Sequence, residues 1–122
     1  MSQSTTLILL PQTVYDGGIS YSSYTVTGNA QHAAGYYLGN KDLQTVNINL
    51  TNVTGNIVIE ASLATTPGDS DWFKVYELVA NNTSNVNANA SAYTNIEGNF
   101  VYMRAKVEDF ANGIVNFVKL SY

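Results

Sequence analysis

The 122-residue chain has the length of a single domain and can bury a core without covalent staples. It contains no cysteine, which excludes disulfides, thiolate metal sites and thiol nucleophiles, and only 11% of its residues are charged, for a net charge of −4. Its Lys and Arg residues, at positions 41, 74, 104, 106 and 119, are too scattered to neutralise a phosphate backbone, so no nucleic-acid partner is expected.

Residues 5–16 read as extended chain, and residues 1–16 together as an extended arm. Apolar residues 7–10 are too few for a signal-peptide core or a membrane span, follow no positive residue and stop at Pro11, which cannot donate to a ladder, so they read as a strand. Neither a secretory leader nor a membrane partner is expected. Asp16, Gly17 and Gly18 then turn the chain. Tyr21, Tyr24 and Val26 stand among Ser and Thr, a strand composition closed by Gly28 and Asn29. Residues 31–40, small and polar around Tyr36 and Tyr37, read as a connection or short edge segment.

Alternation is clearest in the middle of the chain. Val46, Ile48 and Leu50 alternate with Asn47 and Asn49; Ile57, Ile59, Ala61 and Leu63 alternate with Val58, Glu60 and Ser62. Residues 52–56 between them predict a turn, hence a hairpin. Pro67 and Gly68 mark a loop, after which residues 72–79 read as a strand apolar on both faces and therefore internal. Trp72 opens that strand and is expected to pin the loop against the core. Residues 81–89 form a long Asn-rich loop. Asn-x-Ser/Thr triplets at Asn49, Asn52, Asn81, Asn82 and Asn89 follow from the abundance of Asn and Thr rather than from glycosylation.

The final stretch repeats the pattern. Val101, Met103, Ala105 and Val107 face one way and Tyr102, Arg104 and Lys106 the other; residues 109–113 predict a turn before Ile114, Val118 and Leu120 resume the apolar face. With the sequence ending on a strand expected to be buried, no tail for catalysis or targeting is expected. Trp72, Val101, Met103 and Val107 are thus expected to be structural. About eight short strands with regular turn signals, and no helical periodicity, predict one all-β domain over residues 1–122, an antiparallel β-sandwich or jelly roll.

Catalytic chemistry finds little footing. His32 is the only imidazole, so it has no second His for a metal pair, and it reads as an ordinary loop or half-buried residue. The serines lack a Gly-x-Ser-x-Gly elbow. Asp69 and Asp71 offer oxygens to a cation, but the spacing of a calcium loop is missing and both are common turn formers; Glu108 and Asp109 read the same way. No catalytic residue, metal or cofactor is expected. The nine Tyr and one Trp suit either stacking on sugar rings or packing in strands and interfaces. Tyr15, Tyr21, Tyr24, Tyr36 and Tyr37 are the candidate interface residues, in the part of the chain least committed to the alternating pattern.

Three stretches carry a resemblance: AAGYYLGNKDLQTVNINL (residues 33–50), GNIVIEASLATTPGDSDWFKV (residues 55–75) and GNFVYMRAKVEDFANGIVNFVKLSY (residues 98–122). Together they resemble small β-sandwich modules in virion structural proteins of tailed bacteriophages, especially those of cyanobacteria and other marine bacteria. The resemblance brings no catalytic residues. It implies a non-enzymatic virion component, made in the host bacterial cytoplasm, and a lone module with its own Met1 suggests a capsid decoration or cement protein. The major capsid protein is then the expected partner, with the chain acting as a monomer or homotrimer. The alternatives are a carbohydrate-binding module, with a glycan as ligand, or an adhesion protein of the neck or tail fibre.

Overall fold

The apolar alternation through residues 43–62 and 102–121 is carried by two unbroken strands of 20 residues each. The computed structural model describes residues 6–16, 23–37 and 42–122. In chain order its elements are β1 (Thr6–Leu10), β2 (Thr13–Val14), β3 (Tyr24–Thr27), β4 (Gln31–His32), a single helical turn α1 (Ala34–Tyr37), β5 (Leu43–Ser62), β6 (Phe73–Ala80), β7 (Ser91–Glu97) and β8 (Tyr102–Ser121). The fold is all-β and antiparallel, an eight-stranded sheet built around β5 and β8. These two pair from Thr45 opposite Ser121 to Ser62 opposite Tyr102. The other edge of β8 carries β1, β2, β3 and β4, and the other edge of β5 carries β7 and β6.

The two hairpins expected from the alternating runs do not form. Residues 52–56 and 109–113 do have turn chemistry: Asn52 and Asp109 both sit at φ 53°, and Gly113 at φ 92°. They lie at the same level of the paired strands, however, with Thr54 opposite Asn112, and the register slips between Asn49 and Leu50, between Thr51 and Thr54, and again between Thr54 and Asn56. Residues that would end one strand are absorbed as bulges when the partner carries matching irregularities, and bulges bend and twist a ladder rather than terminate it.

How far the ribbon bends follows from its ends. Twenty extended residues span about 66 Å. Yet the carbonyls of Asp42 and Ser62, one just before β5 and one at its end, accept hydrogen bonds from the backbone N–H groups of Gly98 (2.7 Å) and Val101 (2.9 Å). Those two residues are three steps apart, at most about 11 Å. The ribbon is therefore doubled over, its inner surface closed around one core. Two further bonds join the ends: the Tyr122 hydroxyl donates to the His32 carbonyl (3.0 Å), and the Ala34 N–H donates to Gln44 Oε1 (3.1 Å).

The core draws on both halves of the ribbon: Val46, Ile48, Leu50, Val118 and Leu120 from one, Ile57, Ile59, Ala61, Met103, Ala105 and Val107 from the other. Val53 and Phe110, both fully buried, fill the inside of the bend. Met103 and Val107 are core residues, while Val101 is half-buried just before β8 begins. Past the bend the inward phase changes: Val115 rather than Ile114 is buried, because the ladder slips between Phe117 and Val115.

The strand expected at residues 7–10 forms as β1; with β2 it pairs with β8, so the N-terminal arm is part of the sheet, and a slip between Ile8 and Leu10 turns both Leu9 and Leu10 into the core. Two further expectations change. β6 is an edge strand, not an internal one; apart from the buried Ala80, its apolar residues are only half-buried or exposed, and Phe73 packs edge-to-face on Phe100 (centroids 5.7 Å apart). β7 is an additional strand, which its weakly apolar Ala92, Thr94 and Ile96 had not signalled.

If the bend is the organising feature, its backbone should be intolerant. A Cβ on Gly113 would lie 2.3 Å from the Asn52 carbonyl oxygen at a backbone angle that other residues rarely adopt. Gly113→Ala should lower unfolding free energy by about 2–4 kcal/mol in urea denaturation. Gly68→Ala, where the nearest atom is 3.7 Å away, should change it by about 0.5 kcal/mol or less.

Candidate functional site

Bending divides the outward surface into two faces of different chemistry, with a groove at the bend. On the face formed by residues 56–62, β6 and residues 102–108, the few charges are concentrated. Glu60, only 8% exposed, accepts from Arg104 Nε at 2.8 Å and pairs with Lys106 Nζ at 3.3 Å; Lys106 also reaches Glu108 at 3.1 Å, and Lys74 pairs with Glu77 at 3.0 Å. Val58 and Ser62 flank Glu60 on this face and are buried too, with Lys106 and Tyr102 as their cross-strand neighbours. Burial works to lower the Lys106 pKa, but its bonds to Glu108 and Glu60 outweigh that effect, so the amine titrates above the ordinary 10.5. The Arg104 guanidinium lies 4.2 Å from the centre of the Trp72 ring.

Trp72 is accordingly not a core residue. It is half-exposed, laid along the charged ladder rather than pinning the 65–71 loop inward. That loop carries its own constraint, a 3₁₀ turn over Asp69–Asp71 in which Asp71 Oδ2 accepts from the Gly68 N–H at 2.8 Å. Among the described residues, no three His, Asp or Glu side chains gather to hold a metal ion. Glu108 and Asp109 belong to the β8 bulge region rather than to a turn.

The candidate tyrosines separate. Tyr15 and Tyr24 stack on one another (centroids 5.4 Å apart) and both meet Phe110 edge-on, so their rings are half-buried against the core rather than offered to a partner. Tyr36 is exposed and lies flat on His32 (3.7 Å, 2°), whose Nε2 is 3.1 Å from the Tyr102 hydroxyl. Tyr21 and the side chain of Tyr37 lie outside the described residues.

The second face, formed by residues 43–51, β7 and residues 114–121, is nearly neutral. Thr45 donates to Asn95 (2.7 Å), Asn49 to Ser91 (3.5 Å), and Asn116 Nδ2 to both Asn49 Oδ1 (2.8 Å) and Thr51 Oγ1 (2.9 Å). Lys119 covers the Phe117 ring at 4.3 Å. Tyr93, opposite Asn47, is 73% exposed on this ladder; Leu43 is exposed on the same strand as Asn47, and Ile8 is exposed on β1, with Asn47 and Lys119 between it and Tyr93.

At the bend, Val14, Tyr15, Thr51, Asn52, Asn82, Asn112, Gly113 and Ile114 line an open groove of about 330 Å³. Sequence reasoning passed over Tyr93, the groove asparagines and Gln44. Gln44 had a signal: it is in phase with Val46, Ile48 and Leu50, so a polar group at a core position was legible. It is buried and donates to the carbonyls of Ile96 (2.9 Å), Gly98 (3.1 Å) and Asp42 (3.2 Å).

Comparison of the chain with protein-family models, with curated proteins and with solved structures finds no match in any of the three.

Two outcomes test the charged face. Trp72→Ala should cost about 1 kcal/mol, the scale of a half-exposed cation–π contact, rather than the 3–5 kcal/mol of roughly any emptied aromatic core site. A raised lysine pKa stabilises the fold below the unfolded value and ceases to do so as pH rises through the folded value. The stability difference between the native chain and Lys106→Met should therefore hold through neutral pH and shrink above about 10.5 in pH-dependent denaturation.

Proposed function

We propose that the chain is a non-enzymatic structural protein of a tailed-bacteriophage virion, a capsid decoration protein that binds the assembled shell. Its partner is then the major capsid protein, with homotrimer formation as one way to multiply weak contacts. The observation that carries this reading is the neutral face around Tyr93. Its Asn, Thr and Ser side chains are already held by one another, so docking a protein there costs little side-chain entropy. An exposed tyrosine among fixed amides has the composition of an interface anchor. The three sequence stretches that resemble virion modules support the same reading.

The docking surface proposed is thus Tyr93 with Asn47 and Leu43, in place of the N-terminal arm and the 21–37 segment. β1 and β2 have already been taken up by the chain's own sheet, and Tyr15 and Tyr24 by its core.

Purified protein mixed with particles that lack it should decorate them, as seen by electron microscopy and co-sedimentation. Few charges stand on the proposed face, so binding should survive molar salt. Tyr93→Ala should weaken it by about 2 kcal/mol, roughly thirtyfold, without changing the melting temperature. Failure of the folded protein to bind at low and high salt would move its site to the neck or tail, and then favour the carbohydrate-binding alternative.

A further inference from the structure

The bend groove carries a second inference, one that does not rest on the virion reading. We propose that the groove lined by Asn52, Asn82 and Asn112 binds a short neutral saccharide, of one or two hexose-sized rings.

Three asparagines line a groove of about 330 Å³, the low end of the range for small-ligand sites. Each carboxamide offers donors and an acceptor, the same mixture that a sugar hydroxyl presents. Little of this capacity is used by the protein. Asn112 spends one Nδ2 bond on the Asn52 carbonyl (3.2 Å), whereas Asn52 and Asn82 are held through their backbone N–H groups, which donate to Asn89 Oδ1 (3.1 Å) and Thr54 Oγ1 (3.0 Å). The backbone is thereby fixed while the amide heads keep donors and acceptors for a ligand.

Charge selects the class. Among the described residues no Asp, Glu, Lys, Arg or His lines the groove, so neither an anionic nor a cationic ligand finds a countercharge there. Val14 and Ile114, cross-strand neighbours, add an apolar wall for the C–H face of a ring. A purely apolar ligand would instead leave the amides desolvated without partners.

The groove also depends on the bulges that double the sheet over. Asn52 at φ 53° and Gly113 at φ 92° place it where β5 and β8 slip past one another.

The test is a ¹⁵N–¹H chemical-shift titration of the full chain with the methyl glycosides of glucose, galactose, mannose and N-acetylglucosamine, their disaccharides, and methyl glucuronide as the anionic control. At least one neutral probe should give saturable shifts confined to residues 14–15, 51–52, 82 and 112–114, with a Kd on the order of 1 mM. Asn82→Ala, which removes an exposed amide that makes no side-chain bond among the described residues, should weaken that binding about fivefold with an unchanged spectrum elsewhere. No saturable shift with any neutral probe, shifts centred on another face, equal binding of the glucuronide, or full affinity in Asn82→Ala would each overturn the proposal. Particle binding by Asn82→Ala is scored separately, so loss of the sugar site and loss of the shell site are distinguishable.

Discussion

The paired irregularity of β5 and β8 is the constraint on which the other features depend. An antiparallel ribbon of two 20-residue strands, if regular, would be a long twisted ladder with no interior. Placing Asn52, Asp109 and Gly113, all at positive φ, at one level lets both strands slip and fold over together. Phe110 and Val53 then fill the inside of the bend, and Tyr15 and Tyr24 close around Phe110. Burial of these groups offsets the unfavourable backbone conformations, and the far ends of the ribbon are locked by Gln44, by the Tyr122 hydroxyl and by the short Gly98 to Val101 connection.

Doubling the sheet over also separates its surface chemistry. A flat sheet would present one continuous outer face; the bend produces two that point apart. One carries the ion cluster of Glu60, Arg104, Lys106 and Glu108, whose mutual pairing leaves it self-satisfied. The other carries interlocked amides and hydroxyls around an exposed tyrosine. Six charged side chains, Glu60, Lys74, Glu77, Arg104, Lys106 and Glu108, pair with one another away from the neutral face.

That division favours roles in recognition. The neutral face suits a large, flat protein surface, and the groove at the bend suits something small. Both are backed by β5 and β8, the two strands that contribute most of the core, although Tyr93 hangs from β7 and Asn82 from the connection after β6. The edges of the sheet are less guarded. β6 is interrupted by a slip between Ile59 and Glu60 of its neighbour and bears Lys74 and Glu77, features that discourage edge pairing, whereas β7 keeps an unbroken register with β5 from Leu43 to Asn49.

By itself the sequence determined the class of structure and most of the core. Period-two alternation names Val46, Ile48, Leu50, Ile57, Ile59, Met103, Ala105 and Val107 as inward residues because side chains of a strand alternate whatever the strand pairs with. It also excluded thiol chemistry and left no motif for catalysis. Only the tertiary structure decided whether Asn52 and Gly113 end strands or bend them. A turn and a bulge use the same residue types and the same positive φ, and the choice rests on whether a partner strand carries its own irregularity at the same height. Gln31 and His32 pairing with β8, the edge position of β6 and the gathering of Asn52, Asn82 and Asn112 all follow from that choice. None is a property of neighbouring residues along the chain; each arises from which long strand lies beside which.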